Sequence, residues 1–274
     1  MRYTFDHDYH IHSKLSLCSQ DEAQNKERIL KYALDNGLKR ICVTDHFWDR
    51  AIPDTIDWYR VQDFEWISQI LPLPQAENVG FLFRAETEMT KDFVVGTDRA
   101  TYDKFDFVII PTTHLNNAGF GLSVEDAQTV EGRAKVWLEK FNALLAKDAL
   151  FNMDIPYHKV GAAHLACGLI APASREDYLA VLDLLPEKEL VKRFTRAADI
   201  GIGIELNSYD MRFSEAEAQT ILRMFEIAKK CGCKFYLGSD AHHPVIFEKC
   251  IEVFQWAIDV LGLTEEDKHS FCKK

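Results

Sequence analysis

Short β-branched or aromatic runs alternate along the chain with longer segments whose apolar residues recur every three or four positions. The runs are Tyr9–His12, Arg40–Asp45, Val79–Glu86, Phe105–Pro111, Lys159–His164, Gly203–Asn207 and Lys234–Ser239. Bounded by polar residues, they predict strands. The intervening segments predict helices near 21–36, 59–71, 123–148, 174–200, 214–231 and 245–262. Segment 214–231 carries the clearest start signal, because Ser214 is followed three residues later by Glu217, the pattern of a capping box. Its apolar residues Ile221, Leu222, Phe225 and Ala228 then fall on one helical face. Strand–helix alternation predicts parallel βα units, since a parallel strand can return only through a crossover. Seven such units point to a closed or nearly closed α/β barrel, with an open doubly wound sheet as the competitor. The dinucleotide fingerprint G-x-G-x-x-G and the P-loop are both absent, and Gly201 and Gly203 precede a strand, the wrong place for either.

The polar residues that interrupt this pattern collect at one end of the predicted strands. Strand one ends in His10-Ile11-His12, and residues two apart on a strand point to the same face, so both imidazoles can meet one ion. The second ends in Asp45-His46, the third in Glu86, the fourth runs into His114, the fifth ends in His164, and the seventh ends in Asp240-Ala241-His242. Barrel enzymes carry their chemistry at the C-terminal ends of the strands. So many imidazoles and carboxylates crowded into one barrel mouth would be costly to desolvate, whereas cations stabilise the carboxylates and accept the imidazole lone pairs. Metal binding is the expectation. A mixed set of this kind accepts zinc, manganese or iron.

Composition narrows the setting. The 274 residues are 47% hydrophobic and 27% charged, enough to bury a sizeable core. The formal charge of −11 argues against blanket neutralisation of a nucleic-acid backbone, so long nucleic acid is not an expected partner. No run of 18 apolar residues predicts a membrane span, and the start MRYTFDHDYHIH lacks the apolar stretch of a signal peptide. The odd, scattered set Cys18, Cys42, Cys167, Cys231, Cys233, Cys250 and Cys272 suits reduced thiols in a cytoplasm. With no low-complexity tract, repeat or Gly/Ser linker, a single soluble domain over residues 1–274 is expected.

Taken in order, HIHSKLS, TDHFWD, RAETE, PTTHLNN, AAHLA and GSDAHHP resemble the motifs of the polymerase-and-histidinol-phosphatase (PHP) family. The resemblance runs from residue 10 to residue 243. It implies a distorted (β/α)7 barrel with two or three divalent metals at the C-terminal ends of its strands, hydrolysing a phosphate ester. His10, His12, Glu86 and Asp240 would hold one metal; Glu86 would bridge to a second held by His114 and His164; His46 and His242 would belong to a third. The sequence departs from the family where another third-site ligand, often histidine, is expected six residues after the HxH pair: that position is Cys18, with Asp21 close enough to compete. Thiolate is a competent zinc ligand. Ser13 stands where threonine is common, preserving the hydroxyl.

Two metals sharing a carboxylate suit phosphate-ester hydrolysis through a metal-activated water, with no need for a protein nucleophile. Asp45 is the candidate to protonate the leaving oxygen or, alternatively, to orient a neighbouring ligand. Arg212 and Lys14 are candidates to bind the phosphate. Segment 47–60, with Trp48, Trp58 and Tyr59, reads either as a lid or as a loop packing its own aromatics. A small phosphomonoester such as histidinol phosphate is the expected substrate. The alternatives are a nucleotide or short-oligonucleotide diesterase, an amidohydrolase-type C–N hydrolase and a non-catalytic metal-binding module. His7 is expected to be solvated and His269 lies in a charged tail; neither they nor His158 and His243 receive a ligand role, and Cys231 and Cys233 are expected to be buried. Glu205 lies inside a strand and could face the barrel interior.

Overall fold

The protein is described by a computed structural model covering residues 1–53, 55–105, 107–146 and 157–273. Its strands are β1 His7–Ile11, β2 Arg40–Val43, β3 His46–Phe47, β4 Gly80–Phe83, β5 Ala85–Thr87, β6 Val108–Pro111, β7 Val160–Ala163, β8 Gly203–Asn207 and β9 Lys234–Gly238. They fall into two sheets, β1-β2-β4 and β3-β5-β6-β7-β8-β9, with every pairing parallel. The two sheets share staves, because β2 runs on into β3 and β4 into β5. At the break after β2, Thr44 takes over the ladder's work: its amide donates to the Ile11 carbonyl (2.8 Å) and its Oγ1 accepts from the Ile11 amide (3.1 Å).

Seven staves therefore stand side by side, and the ring is completed between β1 and β9. At the upper end the backbone does this, through a bridge between Ile11 and Ala241 and bonds from Asp240 N to His10 O (2.7 Å) and His12 N to Ala241 O (3.1 Å). Lower down, side chains replace the ladder. His7 Nε2 accepts from Leu237 N (3.1 Å), and Asp8 Oδ1 accepts from Ser239 N (2.9 Å). This corrects the expectation of a solvated His7. It is 1% exposed, its Nδ1 faces Asp6 at 2.9 Å, and burial lowers its pKa, so the neutral ring both donates and accepts.

The helices that flank the ring are α1 Lys26–Asp35, α2 Asp57–Arg60, α3 Phe64–Ile67, α4 Arg99–Tyr102, α5 Val130–Leu145, α6 Arg175–Leu184, α7 Glu187–Ile200, α8 Ala218–Lys230 and α9 Cys250–Val260. The predicted helix 174–200 is split at Pro186, which holds Leu185 extended and cannot donate an amide to a continuing helix. The predicted helix 59–71 is two single turns, because the Asp63 side chain accepts from Trp66 N and restarts the chain there. The Ser214–Glu217 capping box forms as read, on a 3₁₀ turn that leads into α8. Of predicted helix 123–148, residues 147 and 148 lie outside the described residues.

Tyr9, Cys42, Phe107, Ile109, Ala163 and Tyr236 form one buried cluster, separate from the large core cluster that takes in the helices. The C-terminal segment packs against it: Phe271 stacks on Phe107 at 4.8 Å, and the buried His269 donates its backbone amide to Phe235 O. The expected charged tail is thus docked onto the barrel, drawn in by the one apolar ring it carries. Cys233 is buried against Phe194 O of α7, as expected, whereas Cys231, at Val191 O of the same helix, is only half-buried, which corrects the burial reading for that residue. Among the described residues no helix is long and apolar enough to cross a membrane.

Candidate metal centre

His10 near the end of β1 and His12 just past it begin the site. His10 Nε2 and His12 Nε2 approach to 3.0 Å, while each ring's other nitrogen is held from behind. His10 Nδ1 faces Glu205 Oε1 at 2.8 Å with both residues fully buried. His12 Nδ1 faces Ser16 Oγ at 2.8 Å, and Ser16 passes its own proton to Asp45 Oδ1 at 2.7 Å. With the Nδ1 protons directed at these oxygens, both Nε2 lone pairs face one another, an arrangement that a cation satisfies and a hydrogen bond does not.

Glu86, on β5, faces the same point. Its Oε1 lies 3.0 Å from His164 Nε2. Its Oε2 has His46 Nδ1 at 3.0 Å, His12 Nε2 at 3.2 Å and His10 Nε2 at 3.4 Å around it, yet it is buried with no hydrogen-bond partner. Asp240 Oδ1 completes the convergence, 3.1 Å from His12 Nε2 and 3.3 Å from His10 Nε2. Burial alone pushes the Glu86 and Asp240 carboxyls up, but the imidazoles outweigh it, chiefly His46 and His10 for Glu86 and His10 and His242 for Asp240, and hold both well below the usual carboxylate range. Burial, with His12 adding to it, drives the His242 imidazole down to about 3, leaving a neutral ring with a free lone pair. An orphaned buried carboxylate oxygen ringed by imidazole nitrogens is a donor set that fits divalent ions.

Backbone strain marks the same spot. His164 (φ 27°) and Asp240 (φ 54°) occupy the left-handed region, which costs a side-chain-bearing residue roughly 1–3 kcal/mol. Both sit just past a strand end, where the turn aims the side chain back across the barrel mouth.

Ligand atoms gather in three groups: His10, His12 and Glu86; His114, His164 and Cys167; and His12, Cys18, His46 and His242. In the third, the His12 ring stacks on His242 at 4.1 Å and lies 4.6 Å from His46. Of the two competitors there, the structure brings in Cys18; Asp21 Oδ2 is instead taken by His243 Nε2 at 2.6 Å. All eight histidine and carboxylate positions expected as ligands face this region.

The other expected site residues lie elsewhere. Asp45 is buried beneath the pocket and accepts from Ser13 N, Ser13 Oγ and Ser16 Oγ, so its geometry is that of an orienting carboxylate, not of an acid facing substrate. Lys14 pairs with Glu22 on the outer surface, because the β1–α1 loop turns its side chain away from the mouth. Arg212 lies over the Tyr209 ring at 5.0 Å and off the pocket lining. The barrel-facing reading of Glu205 is met, and the residue does two jobs: Oε1 holds His10, and Oε2 accepts the His164 amide at 2.6 Å.

Sequence reasoning passed over Glu88 and Cys167. Glu88 Oε2 holds His114 Nδ1 at 2.6 Å and accepts from Tyr59 OH at 3.0 Å, while buried Lys140 of α5 reaches to 3.9 Å of its Oε1. Its spacing of two from Glu86 was the available signal. Above the ligands opens a cavity of about 410 Å³, walled by Ile56, Trp58, Tyr59, Phe120 and Leu169, with Asn116 and Asn117 at its rim and no lysine or arginine among its described lining residues. Segment 47–60 thus packs its aromatics and lines the pocket at once: Trp48 is buried against Tyr59, and Trp58 sits edge-on to His46 at 5.1 Å.

No family model matches the chain, and no curated protein matches it. Among solved structures, it superposes on the histidinol phosphate phosphatase of Lactococcus lactis subsp. lactis Il1403, whose crystal structure contains zinc, L-histidinol and phosphate. The alignment covers 96% of this chain and 98% of that one, at 17% identity and a TM-score of 0.62. The fold is shared with a phosphatase. The barrel expected from the motifs is therefore met. Weaker likenesses are to a probable 2-pyrone-4,6-dicarboxylic acid hydrolase of Acinetobacter baumannii (12% identity, 98% of each chain, TM-score 0.46) and to a chain of an archaeal ribonuclease P (14% identity, 92% and 90%, TM-score 0.34). Neither bears on the site.

Proposed function

We propose that the protein is a divalent-metal-dependent phosphomonoesterase acting on a small phosphorylated alcohol, with histidinol phosphate the first substrate to try. The observation that carries this reading is Glu86 Oε2, buried, unpaired and ringed by imidazole nitrogens at the floor of an open cavity. His10, His12, Glu86 and Asp240 would hold one ion, Glu86, His114 and His164 a second, and His46, His242 and Cys18 a third. Zinc, manganese and iron are the candidates. When bound, such ions supply Lewis acidity toward phosphate oxygens and an activated water.

The chain's own residues define what else can bind. With no cationic side chain on the described lining, the phosphate charge has to be met at the floor, and Asn116 and Asn117 can donate to its outer oxygens. Trp58, Tyr59 and Phe120 offer flat apolar faces to the leaving alcohol and exclude water from it. The chain's formal charge of −11 and the absence of lysine and arginine from the described lining disfavour an extended polyanion and support a small monoester over an oligonucleotide. Asp45 acts through Ser16, fixing the His12 ring.

The test is phosphate release from histidinol phosphate by the purified protein with added manganese or zinc, beside an Asp240→Asn control. Release that is lost in the variant together with bound metal is the expected result. A fully active variant with unchanged metal content would sink the assignment.

A further inference from the structure

We propose that Cys167 is a metal ligand, which joins His114 and His164 and makes the position on that side of Glu86 a sulfur-containing one. The inference rests on the metal-dependent reading above and adds a donor of a different chemical kind. Three observations carry it. One ligand atom each of His114, His164 and Cys167 lies within 4.8 Å of the others, a limit that admits the separation of about 3.3–3.8 Å that tetrahedral zinc imposes on nitrogen and sulfur donors. The backbone is folded to bring this about, since His164 adopts φ 27° and its carbonyl accepts from Cys167 N at 3.0 Å, so the chain turns back and sets the thiol beside the ring. The polar atoms around it are already allotted in the way a ligand set requires. Glu88 takes His114 Nδ1 and leaves Nε2 free, Glu86 Oε1 faces His164 Nε2, and the Leu169 amide donates to Cys167 Sγ at 3.4 Å.

The competing account is that Cys167 merely caps the short turn Gly168–Ile170 through the Leu169 bond. Serine is the better cap residue, so Cys167→Ser preserves that role while removing the sulfur. A soft ligand here would also bias the centre toward zinc over manganese.

The experiment uses the full chain, stripped with chelator and reloaded with Co²⁺. Cys18→Ser removes the other pocket thiol. In that variant the near-ultraviolet sulfur-to-cobalt charge-transfer band is expected to persist, and adding Cys167→Ser is expected to abolish it with far-ultraviolet circular dichroism unchanged. Zinc affinity at that position should fall at least tenfold, the lower end of what losing even an outer partner costs. Independently of any variant, zinc loading of the wild-type chain should protect Cys167 from iodoacetamide, read by peptide mass. Cobalt retained without the band in Cys18→Ser, a band that survives the second substitution, or equal alkylation of Cys167 with and without zinc overturns the proposal and leaves phosphatase activity as a separate question. Failure of the wild-type chain to retain cobalt overturns the metal-dependent reading with it.

Discussion

Each imidazole at the floor of the pocket is useful only because a second residue holds its far side. Glu205 does this for His10 and at the same time takes the backbone amide of His164, so one carboxylate aligns two strands' contributions. In Glu205→Gln one of those two donors must face an amide N–H. The expected outcome is a 10- to 100-fold loss of metal affinity, roughly that of removing an outer-shell partner, with stability lowered by about 1–3 kcal/mol for the unsatisfied group; chelator competition and urea titration read the two separately. Glu88 serves His114 in the same way, and there the buried charge of Lys140, 3.9 Å off, adds a complication. Glu88→Gln should destabilise the fold by leaving that ammonium uncompensated. Adding Lys140→Met should restore stability without restoring metal affinity. Recovery of both in the double variant would show that Glu88 has no positioning role.

At the scale of elements, the site depends on how closely β8 and β9 approach. Gly238 of β9 lies where a Cβ would overlap Glu205 Oε1 and press on His10 Cβ. Gly238→Ala should therefore displace Glu205 from His10, costing about 1–3 kcal/mol in overpacking and releasing metal at lower chelator concentration than the wild type. Unaltered metal retention in a folded variant would argue that Glu205 can yield. The loop that carries Cys18 is likewise held by an element that periodicity misread. Segment 59–71 has helical spacing, but Gln62 is fully buried, accepts from Leu17 N at 2.9 Å and donates to Trp58 O at 3.0 Å, so the chain breaks into α2 and α3 to place it. A hydrophobic pattern cannot announce a buried glutamine whose partner is 45 positions away.

The whole molecule is a ring whose seam and mouth are both made by polar groups. The candidate ligands come from the ends of β1, β3, β5, β7 and β9 and from the loop after β6, so bound ions cross-link most of the circumference. Chelation should lower Tm, and added zinc should raise it again in proportion to the logarithm of free metal. A Tm indifferent to chelator would mean that the staves need no such link. At the seam, burial raises the Asp8 carboxyl to about 6 despite its bonds from Ser239, His10 and Tyr32. Because the folded state then holds its proton more tightly than the unfolded chain, Asp8 contributes stability at low pH and loses it as pH rises from about 4 to about 6. Asp8→Asn keeps an acceptor for the Ser239 and His10 amides without the charge. In metal-free protein its stability relative to wild type, measured by urea unfolding, should improve across that window and level off above it; a pH-independent difference would place the raised carboxyl elsewhere. The alternation of runs and helical segments, the HxH and DxH pairs and the strand-end residues by themselves determined parallel βα units with their polar groups at one end, since strand period and crossover geometry are local properties; closure into a ring rather than an open sheet was not among them. Which oxygen would be left unpaired, which thiol would face the pocket, why Asp45 lies beneath it and Lys14 outside, and how His7 and Asp8 would close the ring were decided only by the tertiary structure. Each depends on contacts between residues distant in the chain, and the aim of two ligands depends also on left-handed turns at His164 and Asp240 that no local pattern announces.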